Sequence, residues 1–297
     1  MQESAHLLKG VSLERLATLE KVVRAGSIGQ AAGASASAQA QYSRQIADLE
    51  VFFDAALLDR TTPPHRPTEL ALRLADLSGG FFRELGRQRE QATGGRVKVV
   101  IGAGERVIRS YLLPWAARLP ASLRSEVRMV FRNLTKSEIR ADLAAGRLDF
   151  GVLGKDDCPP GCDWERLGTA GVCLWVPDNG VAKAKSWKSI NDKPLIMMEG
   201  NPTWRQTVTE LAADAGVSLD VAMECSTWSQ VAEAMVSCKY AGWLPEDFRG
   251  VLGAGFSKIS LPGLAATKRE FGIAWSRSAA SKRPTHKKLV EALKGRP

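Results

Sequence analysis

Residues 26–50, GSIGQAAGASASAQAQYSRQIADLE, constrain the fold more than any other part of the chain. Their pattern predicts two short helices joined by a tight connection, the second beginning at Ser37 or Ala38 with the Ser37 hydroxyl as its cap. Apolar residues in the second helix recur at steps of four, three and four, so they share one buried face. These residues are Tyr42, Ile46, Leu49 and Phe53. Small and hydrogen-bonding side chains lie opposite, which favours a helix that enters the DNA major groove.

Candidate DNA contacts follow from the chemistry of these side chains. Arginine pairs with guanine or phosphate, and glutamine pairs with adenine. The proline-rich segment 56–68 suits a short hairpin, or wing, along the phosphate backbone. The predicted contacts are Ser27, Gln39, Gln41, Ser43, Arg44, Arg60 and Arg66. The alternative is an Ala-rich three-helix unit that binds no nucleic acid.

Helices are also predicted on both sides of this segment. Upstream, an amphipathic helix ends at Ala25-Gly26, and Ser27 caps the helix that carries Ala31 and Ala32. Downstream, from Thr68 to about Gln91, Leu70, Leu74, Leu77, Phe81 and Leu85 recur at steps of four and three. An apolar stripe on so long a helix needs a partner, and a second copy is the simplest one. Gly79-Gly80 predicts a kink or a close helix approach there.

The second half alternates strands with helices and predicts two α/β lobes that enclose a hinged cleft. The expected strands are 97–101, 127–131, 148–153, 172–176, 195–198, 221–224 and 271–276, and the expected helices are 106–119, 136–145, 204–215, 228–238 and 285–293. The first unit predicts a parallel sheet covered on both faces, to which the last strand and helix return. Helix N-termini at the cleft favour anions. Candidate ligand residues are therefore Gly104, Arg106, Thr203, Thr227 and Trp228, although each threonine is equally suited to a helix cap and the tryptophan to packing.

The charge distribution gives no argument for DNA binding. The chain carries a net charge of +9, yet residues 1–95 hold eleven basic and eleven acidic residues. Residues 268–297 hold nine basic and two acidic ones, which fits a solvated helix face or, alternatively, a second nucleic-acid site. With 44% hydrophobic and 25% charged residues and no apolar run near ~20 residues, we expect a soluble cytoplasmic protein without membrane contact.

No catalytic constellation is recognisable, and no cofactor or metal is expected. Gly102-Ala103-Gly104 after the first strand begins like a dinucleotide-binding motif, but the third glycine of that motif is absent. The chain also has only three histidines. A disulfide, a zinc site or a redox role is conceivable for Cys158 and Cys162, but an odd total of five cysteines favours reduced thiols. We therefore expect a protein that is not an enzyme.

At its N-terminal motifs the sequence resembles the LysR-type transcriptional regulators. The matching residues are Gly26-Ser27, Ala31-Ala32, Gln39, Ser43-Arg44-Gln45-Ile46, Leu49-Glu50, Leu57-Leu58-Asp59-Arg60 and Pro67-Thr68. The second half matches more weakly, at 110–114, 143–149 and 235–245. Departures from the family pattern are Ala38, Ala40, Asp54, Pro63, Cys238 and Tyr240, together with one extra residue before Leu112.

The resemblance implies an α/β protein with an N-terminal winged helix-turn-helix, a long linker helix and a two-lobed, periplasmic-binding-protein-like effector domain. The expected bounds are 11–68 for the DNA-binding domain, with the helix-turn-helix at about 27–46, 68–94 for the linker and dimerisation helix, and 95–297 for the regulatory domain. Within the latter, lobe 1 covers about 95–170 and 268–297, and lobe 2 about 171–267.

The function so implied is sequence-specific DNA binding. A homodimer or homotetramer, assembled through the leucine-rich stripe, would bind an interrupted palindrome in double-stranded DNA. The predicted contacts would bind the DNA. A small anionic effector at the cleft, or a protein partner such as RNA polymerase, would modulate it. Two alternatives remain: a LysR-like oligomer with weakened DNA binding that acts through protein partners, and a small-molecule-binding protein without a DNA role.

Overall fold

The first helix of the described residues is 13 residues long. It begins where the Ser12 side chain accepts a hydrogen bond from the Arg15 N–H, and it ends at Gly26, which has a left-handed backbone conformation. The computed structural model describes residues 11–61, 63–178, 186–191, 193–200, 202–277 and 283–294. These divide into two units at Val97/Lys98, with 145–147 belonging to the first unit. Parts of the predicted basic segment 268–297, namely 278–282 and 295–297, lie outside the described residues.

The first unit is helical apart from one small hairpin. Its elements are α1 (Leu13–Ala25), α2 (Ile28–Ala32), α3 (Ala36–Phe53), β1 (Leu58–Asp59), β2 (Arg66–Pro67) and α4 (Glu69–Ala92). The two short strands pair antiparallel, with Leu58 opposite Pro67. Three helices followed by a hairpin and a long helix are the arrangement that the N-terminal sequence pattern predicts.

One core unites the helices of the first unit. Ile46 and Leu49 of α3 are fully buried against Leu19 of α1 and Ala71 of α4, while Tyr42 lies partly buried at the edge. The apolar stripe read from the sequence is thus the core face of α3. Hydrophobic burial of this kind contributes about 1.5–3 kcal/mol for each large side chain.

Helix α4 packs against α1 along its first half. Leu70 and Leu74 contact the core, so these two members of the predicted stripe already have partners within the chain. At Gly79 an added Cβ would lie 3.1 Å from the Glu20 carboxylate of α1, which explains the glycine as a point of close helix approach. The helix runs through both glycines from Glu69 to Ala92.

Lobe 1 of the second unit is a five-stranded sheet with helices around it. Its strands are β3 (Val97–Ala103), β4 (Val127–Asn133), β5 (Phe150–Leu153), β6 (Cys162–Ala170) and β12 (Arg269–Ser276), in the order β4-β3-β5-β12-β6. Its helices are α5 (residues 105–118), α6 (Ala121–Glu126), α7 (Lys136–Ala144) and α10 (Pro284–Lys294). The parallel pairing expected from the βαβαβ order is present between β3 and β5, and the returning strand β12, for which no direction was predicted, pairs antiparallel with both β5 and β6.

Lobe 2 is a second five-stranded sheet. Its strands are β7 (Val172–Pro177), β8 (Leu195–Met198), β9 (Val221–Cys225), β10 (Ala241–Pro245) and β11 (Phe256–Ile259), in the order β11-β7-β10-β8-β9. Helices α8 (Thr203–Asp214) and α9 (Trp228–Cys238) pack on it. Strands β8, β9 and β10 run parallel, and β7 and β11 pair antiparallel.

The chain crosses between the lobes twice, and the two crossings touch. Gly171 follows β6, and an added Cβ there would lie 2.9 Å from Lys268 Cγ and 3.1 Å from Thr267 Oγ1 on the returning segment. Thr267 is buried, and its hydroxyl oxygen accepts from the Val172 N–H at 3.3 Å.

Helix α5 accommodates the extra residue noted before Leu112. Glu105–Val107 forms its first α-helical turn, Ile108–Leu112 is a π turn, and Leu113–Arg118 is α-helical again. A π turn absorbs one inserted residue without ending the helix, and such turns are frequent at functional sites.

Candidate DNA-binding surface and interlobe cleft

Helix α3 begins one to two residues before the start predicted from the sequence, and its cap lies two residues before the predicted one. Ser35, with extended backbone, accepts a hydrogen bond from the Ala38 N–H at 3.3 Å, so Ser35 is the cap and Ala36 the first helical residue. The predicted cap Ser37 instead lies in the first turn, with its hydroxyl 3.1 Å from that of Ser35. Both residues suit a cap, and only the chain path chooses between them.

The predicted contacts on α3 lie on its exposed face, which is broad. Gln39, Gln41, Ser43 and Arg44 are all exposed. Gln41 and Arg44 lie roughly opposite the buried Ile46, whereas Gln39 precedes Ile46 by seven positions and so lies on the same side of α3, in its first turn. The Arg44 side chain runs along its own helix, with Nε 3.4 Å from the Ala40 carbonyl oxygen. The face therefore offers a guanidinium, two amides and a hydroxyl, a set that can hydrogen-bond base edges or phosphates.

A carboxylate of α1 orients part of this face, which the sequence analysis missed. Glu14 Oε1 accepts from Gln41 Nε2 at 3.2 Å and from Gln45 Nε2 at 2.8 Å. Thr18 donates to Gln45 Oε1 at 2.6 Å. Gln45 thus braces α3 on α1, and Gln41 is fixed by the same carboxylate. The Ser43-Arg44-Gln45-Ile46 motif was the available signal, but spacing could not identify Glu14 as its partner.

Ser27 lies apart from this face. It is 7% exposed, and its hydroxyl oxygen accepts from the Gln30 N–H at 3.2 Å to cap α2. Its role in the structure is to fix the start of α2, and a DNA contact by Ser27 stays a prediction.

The hairpin that follows α3 is held by Glu50. Its carboxylate accepts from the N–H groups of Leu57 and Leu58 at 2.9 and 3.2 Å, and its second oxygen lies 2.7 Å from Arg60 Nη2. Arg60 is consequently ion-paired with Glu50, while its side chain stays 55% exposed. Arg66 is exposed on β2, opposite Asp59. Thr61 hydrogen bonds hold the pKa of Asp59 below its ordinary value.

Part of the predicted dimerisation stripe on α4 remains uncovered in the monomer. Leu77, Phe81 and Leu85 are exposed to 74%, 48% and 44%, and Leu72 to 48%. Leu77, Phe81 and Leu85, which belong to the predicted stripe, form what we call the α4 apolar face.

Three of the five predicted ligand residues between the lobes already have partners within the chain. Arg106 lies 2.8 Å from Asp247, an ion pair between the lobes. Thr227 caps α9 in a reciprocal box with Gln230. Trp228 stacks near Trp204, with ring centroids 5.3 Å apart. The capping and packing alternatives therefore describe Thr227 and Trp228 as the structure has them.

Gly104 and Thr203 make backbone hydrogen bonds at the starts of α5 and α8. Gly104 precedes α5, and its carbonyl oxygen accepts from Val107 and Ile108 N–H groups at 2.9 and 3.1 Å. Thr203 is exposed at the start of α8, and its carbonyl oxygen accepts from the Thr207 hydroxyl. Binding of an effector by either stays a prediction.

The cysteines and the described carboxylates form no further site. Burial, with the Asp163 carboxylate, raises the pKa of the Cys158 and Cys162 thiols, which disfavours the thiolate that redox chemistry needs. Among the described residues, no group of three or more histidine, cysteine, aspartate or glutamate side chains is arranged to hold a metal ion. In the same part of the chain, no helix is long and apolar enough to cross a membrane.

One buried charged cluster in lobe 1 was also missed. Asp149 is 4% exposed and accepts from Val100 N–H at 2.8 Å and from Arg283 Nη1 at 2.8 Å, and its Oδ1 lies 3.1 Å from His286 Nε2. His286 is itself 1% exposed and stacks on Phe150. The cluster links α10 to β3 and β5, and its role is structural.

Comparisons with known proteins agree with this geometry. Residues 13–72 match the model of a bacterial regulatory helix-turn-helix protein of the lysR family, and residues 92–296 match the LysR substrate binding domain. No curated protein has a significantly similar sequence.

Solved structures share the fold over nearly the whole chain. Full-length CbnR complexed with its target DNA has 18% identity and a TM-score of 0.62, covering 96% of this chain and 99% of its own. Full-length OxyR from Pseudomonas aeruginosa has 17% identity and a TM-score of 0.62, covering 95% and 93%. Vibrio fischeri DarR in complex with DNA has 15% identity and a TM-score of 0.56, covering 96% and 99%. Because the two family models together span both units, the chain belongs to the LysR family of DNA-binding transcriptional regulators.

Proposed function

We propose that this regulator binds an interrupted palindrome in double-stranded DNA as a homodimer or as a homotetramer of paired dimers. The observation that carries the proposal is the exposed surface of α3, where Gln39, Ser43 and Arg44 are all exposed while Ile46 and Leu49 are fully buried. Arg60 and Arg66 on the adjoining hairpin would contact phosphates, and Gln41 would act from the position that Glu14 gives it.

The α4 apolar face supports the paired state. Leu77, Phe81 and Leu85 leave a row of large apolar side chains in water, which a second copy of the helix would cover. Two copies would place two α3 helices on half-sites separated by whole helical turns of DNA. We further propose that control passes through the lobes, by a small effector in the cleft or by contact with RNA polymerase, and that the chain catalyses no reaction.

The anionic class of effector, expected from Arg106, finds little support in the cleft. Arg106 is paired with Asp247, and its side chain is only 12% exposed. Another anion would have to compete with a partner that is already in place.

Footprinting on the DNA upstream of the protein's own gene tests the proposal. We expect two protected segments with centres separated by about 10 base pairs or a multiple of this. Arg44→Ala should abolish both segments at a concentration where the wild type protects them. Absence of protection by the wild type, or a single segment of one half-site, would contradict binding as a pair.

A further inference from the structure

One face of α5 reaches across the cleft in three places. Glu105 Oε1 accepts a hydrogen bond from the Ser229 hydroxyl of α9, and Arg109 Nη1 donates to the same Ser229 oxygen at 3.1 Å. Arg106 pairs with Asp247 at 2.8 Å. The Arg109 guanidinium also lies 5.4 Å from the centre of the Phe248 ring in lobe 2. Contacts from three residues within five positions bridge the lobes.

Ser229 stands in the first turn of α9, and this places a carboxylate at a favourable spot. The first turn of a helix has N–H groups without helical partners and the positive end of the helix dipole, so it favours negative charge. Glu105 supplies that charge from within the chain, and Arg109 lies beside the same hydroxyl. Ser229, in the first turn of α9, and Arg109 thus form a site that favours an anion, and the Glu105 carboxylate is the anion that occupies it.

The charges at this crossing balance. Two arginines face two carboxylates, Glu105 and Asp247, and Arg106 is further held over the rings of Tyr111 and Phe271, at 5.5 and 5.1 Å. A carboxylate ligand would therefore have to displace Glu105 from the Ser229 hydroxyl. A tethered competitor acts at a high effective concentration, on the order of millimolar or more.

We propose that Glu105 determines the ligand specificity of the cleft by occupying the anion position at the Ser229 hydroxyl, in the first turn of α9, to which Arg109 also donates. The cleft then rejects small carboxylates and accepts an uncharged or cationic effector. This inference rests on the proposed function only in taking the cleft as the effector site.

Removing the internal carboxylate should turn the site into one that takes a carboxylate from solution. Thermal unfolding of the full chain is measured for the wild type, for Glu105→Ala and for the control Glu126→Ala, which removes an exposed ion-paired glutamate of lobe 1. Each is compared in roughly 50 mM sodium propionate and in sodium chloride of equal concentration. We expect propionate to raise the Tm of Glu105→Ala by about 2 °C or more over chloride, and to leave the other two unchanged. No propionate-specific gain in Glu105→Ala, or an equal gain in all three, would overturn the proposal.

A variant that keeps the side-chain volume covers the case in which Glu105→Ala does not fold. Glu105→Gln retains the shape but loses the charge at the first turn of α9, so amide hydrogen exchange at residues 228–231 should become about fivefold faster or more. Glu126→Gln should leave it unchanged. Unchanged exchange in Glu105→Gln would also overturn the proposal. DNA binding by the same wild-type preparation is measured in parallel, because its absence would contradict the regulator function and not the role of Glu105.

Discussion

Arg44 is the residue of α3 whose loss should reveal base reading most clearly. Arg44 is exposed on α3, on the side away from the buried Ile46. If it contacts a guanine, Arg44→Ala should weaken specific binding by about 1–3 kcal/mol and leave non-specific binding less affected. Fluorescence anisotropy with specific and shuffled DNA measures both. Arg166→Ala is the matched control, since Arg166 is an exposed, ion-paired arginine of the regulatory domain. Equal losses in the two variants would remove Arg44 from the base-reading set.

Asp54 ends α3 in the left-handed region, with φ of 47°. A residue with a Cβ is strained there and glycine is not, although glycine also gains entropy in the unfolded chain. We expect Asp54→Gly to raise the free energy of unfolding of the first unit by about 0.5 kcal/mol, and Asp54→Ala to lower it by about 1 kcal/mol. Urea unfolding followed by circular dichroism measures both. The same sign of change in the two variants would show that backbone strain at Asp54 has little influence.

Single residues also show where sequence reasoning reached its limit. Ile46 and Leu49 were predicted as core from spacing alone, because helical periodicity is a local property. The partners of Gln41, Arg60 and Arg106 were not predictable, because Glu14, Glu50 and Asp247 are brought to them by the fold. Spacing identifies a face of a helix, whereas tertiary structure decides which of its side chains remain available.

Among the elements, β3, β5 and α10 are joined by the buried Asp149 carboxylate. Asp149→Asn would remove the carboxylate that pairs with Arg283, whose side chain is 16% exposed. Removing one partner of a buried ion pair is strongly destabilising, so we expect a loss of about 3 kcal/mol in the free energy of unfolding of the second unit. The control Glu126→Gln breaks an exposed pair with Lys288 and should change it by about 0.5 kcal/mol or less. Urea unfolding followed by tryptophan fluorescence measures both, and similar small effects would contradict the structural role of Asp149.

Strands and helices with a clear local period were predicted well, and those defined by distant pairing were not. Helix α9 was predicted at its observed bounds, 228–238, since an apolar face and a capping residue mark it. Strand β6 was missed, because it is a largely half-buried edge strand that only pairing with β12 makes a strand. The antiparallel direction of β12 was not predicted, because it too depends on distant pairing.

For the whole molecule, the α4 apolar face is the feature that should control assembly. A lysine at position 77 would place a charge where a second helix is expected to pack, so Leu77→Lys should shift the protein toward monomer and weaken DNA binding. Val51→Lys is the control, since Val51 is an apolar residue of α3 that is 82% exposed. Sedimentation velocity over a range of protein concentrations reports the oligomeric state. A Leu77→Lys protein with unchanged oligomeric state would contradict pairing through α4.

The most direct measurement is the affinity of the wild-type protein for DNA from its own upstream region, against a shuffled duplex of equal length and composition. The two are titrated by fluorescence anisotropy at two salt concentrations between roughly 50 and 150 mM, where phosphate contacts change affinity strongly. We expect saturable binding to the upstream DNA that is at least about a thousandfold tighter than to the shuffled duplex. Equal affinity for the two duplexes, or no saturable binding at either salt concentration, would contradict sequence-specific recognition through α3.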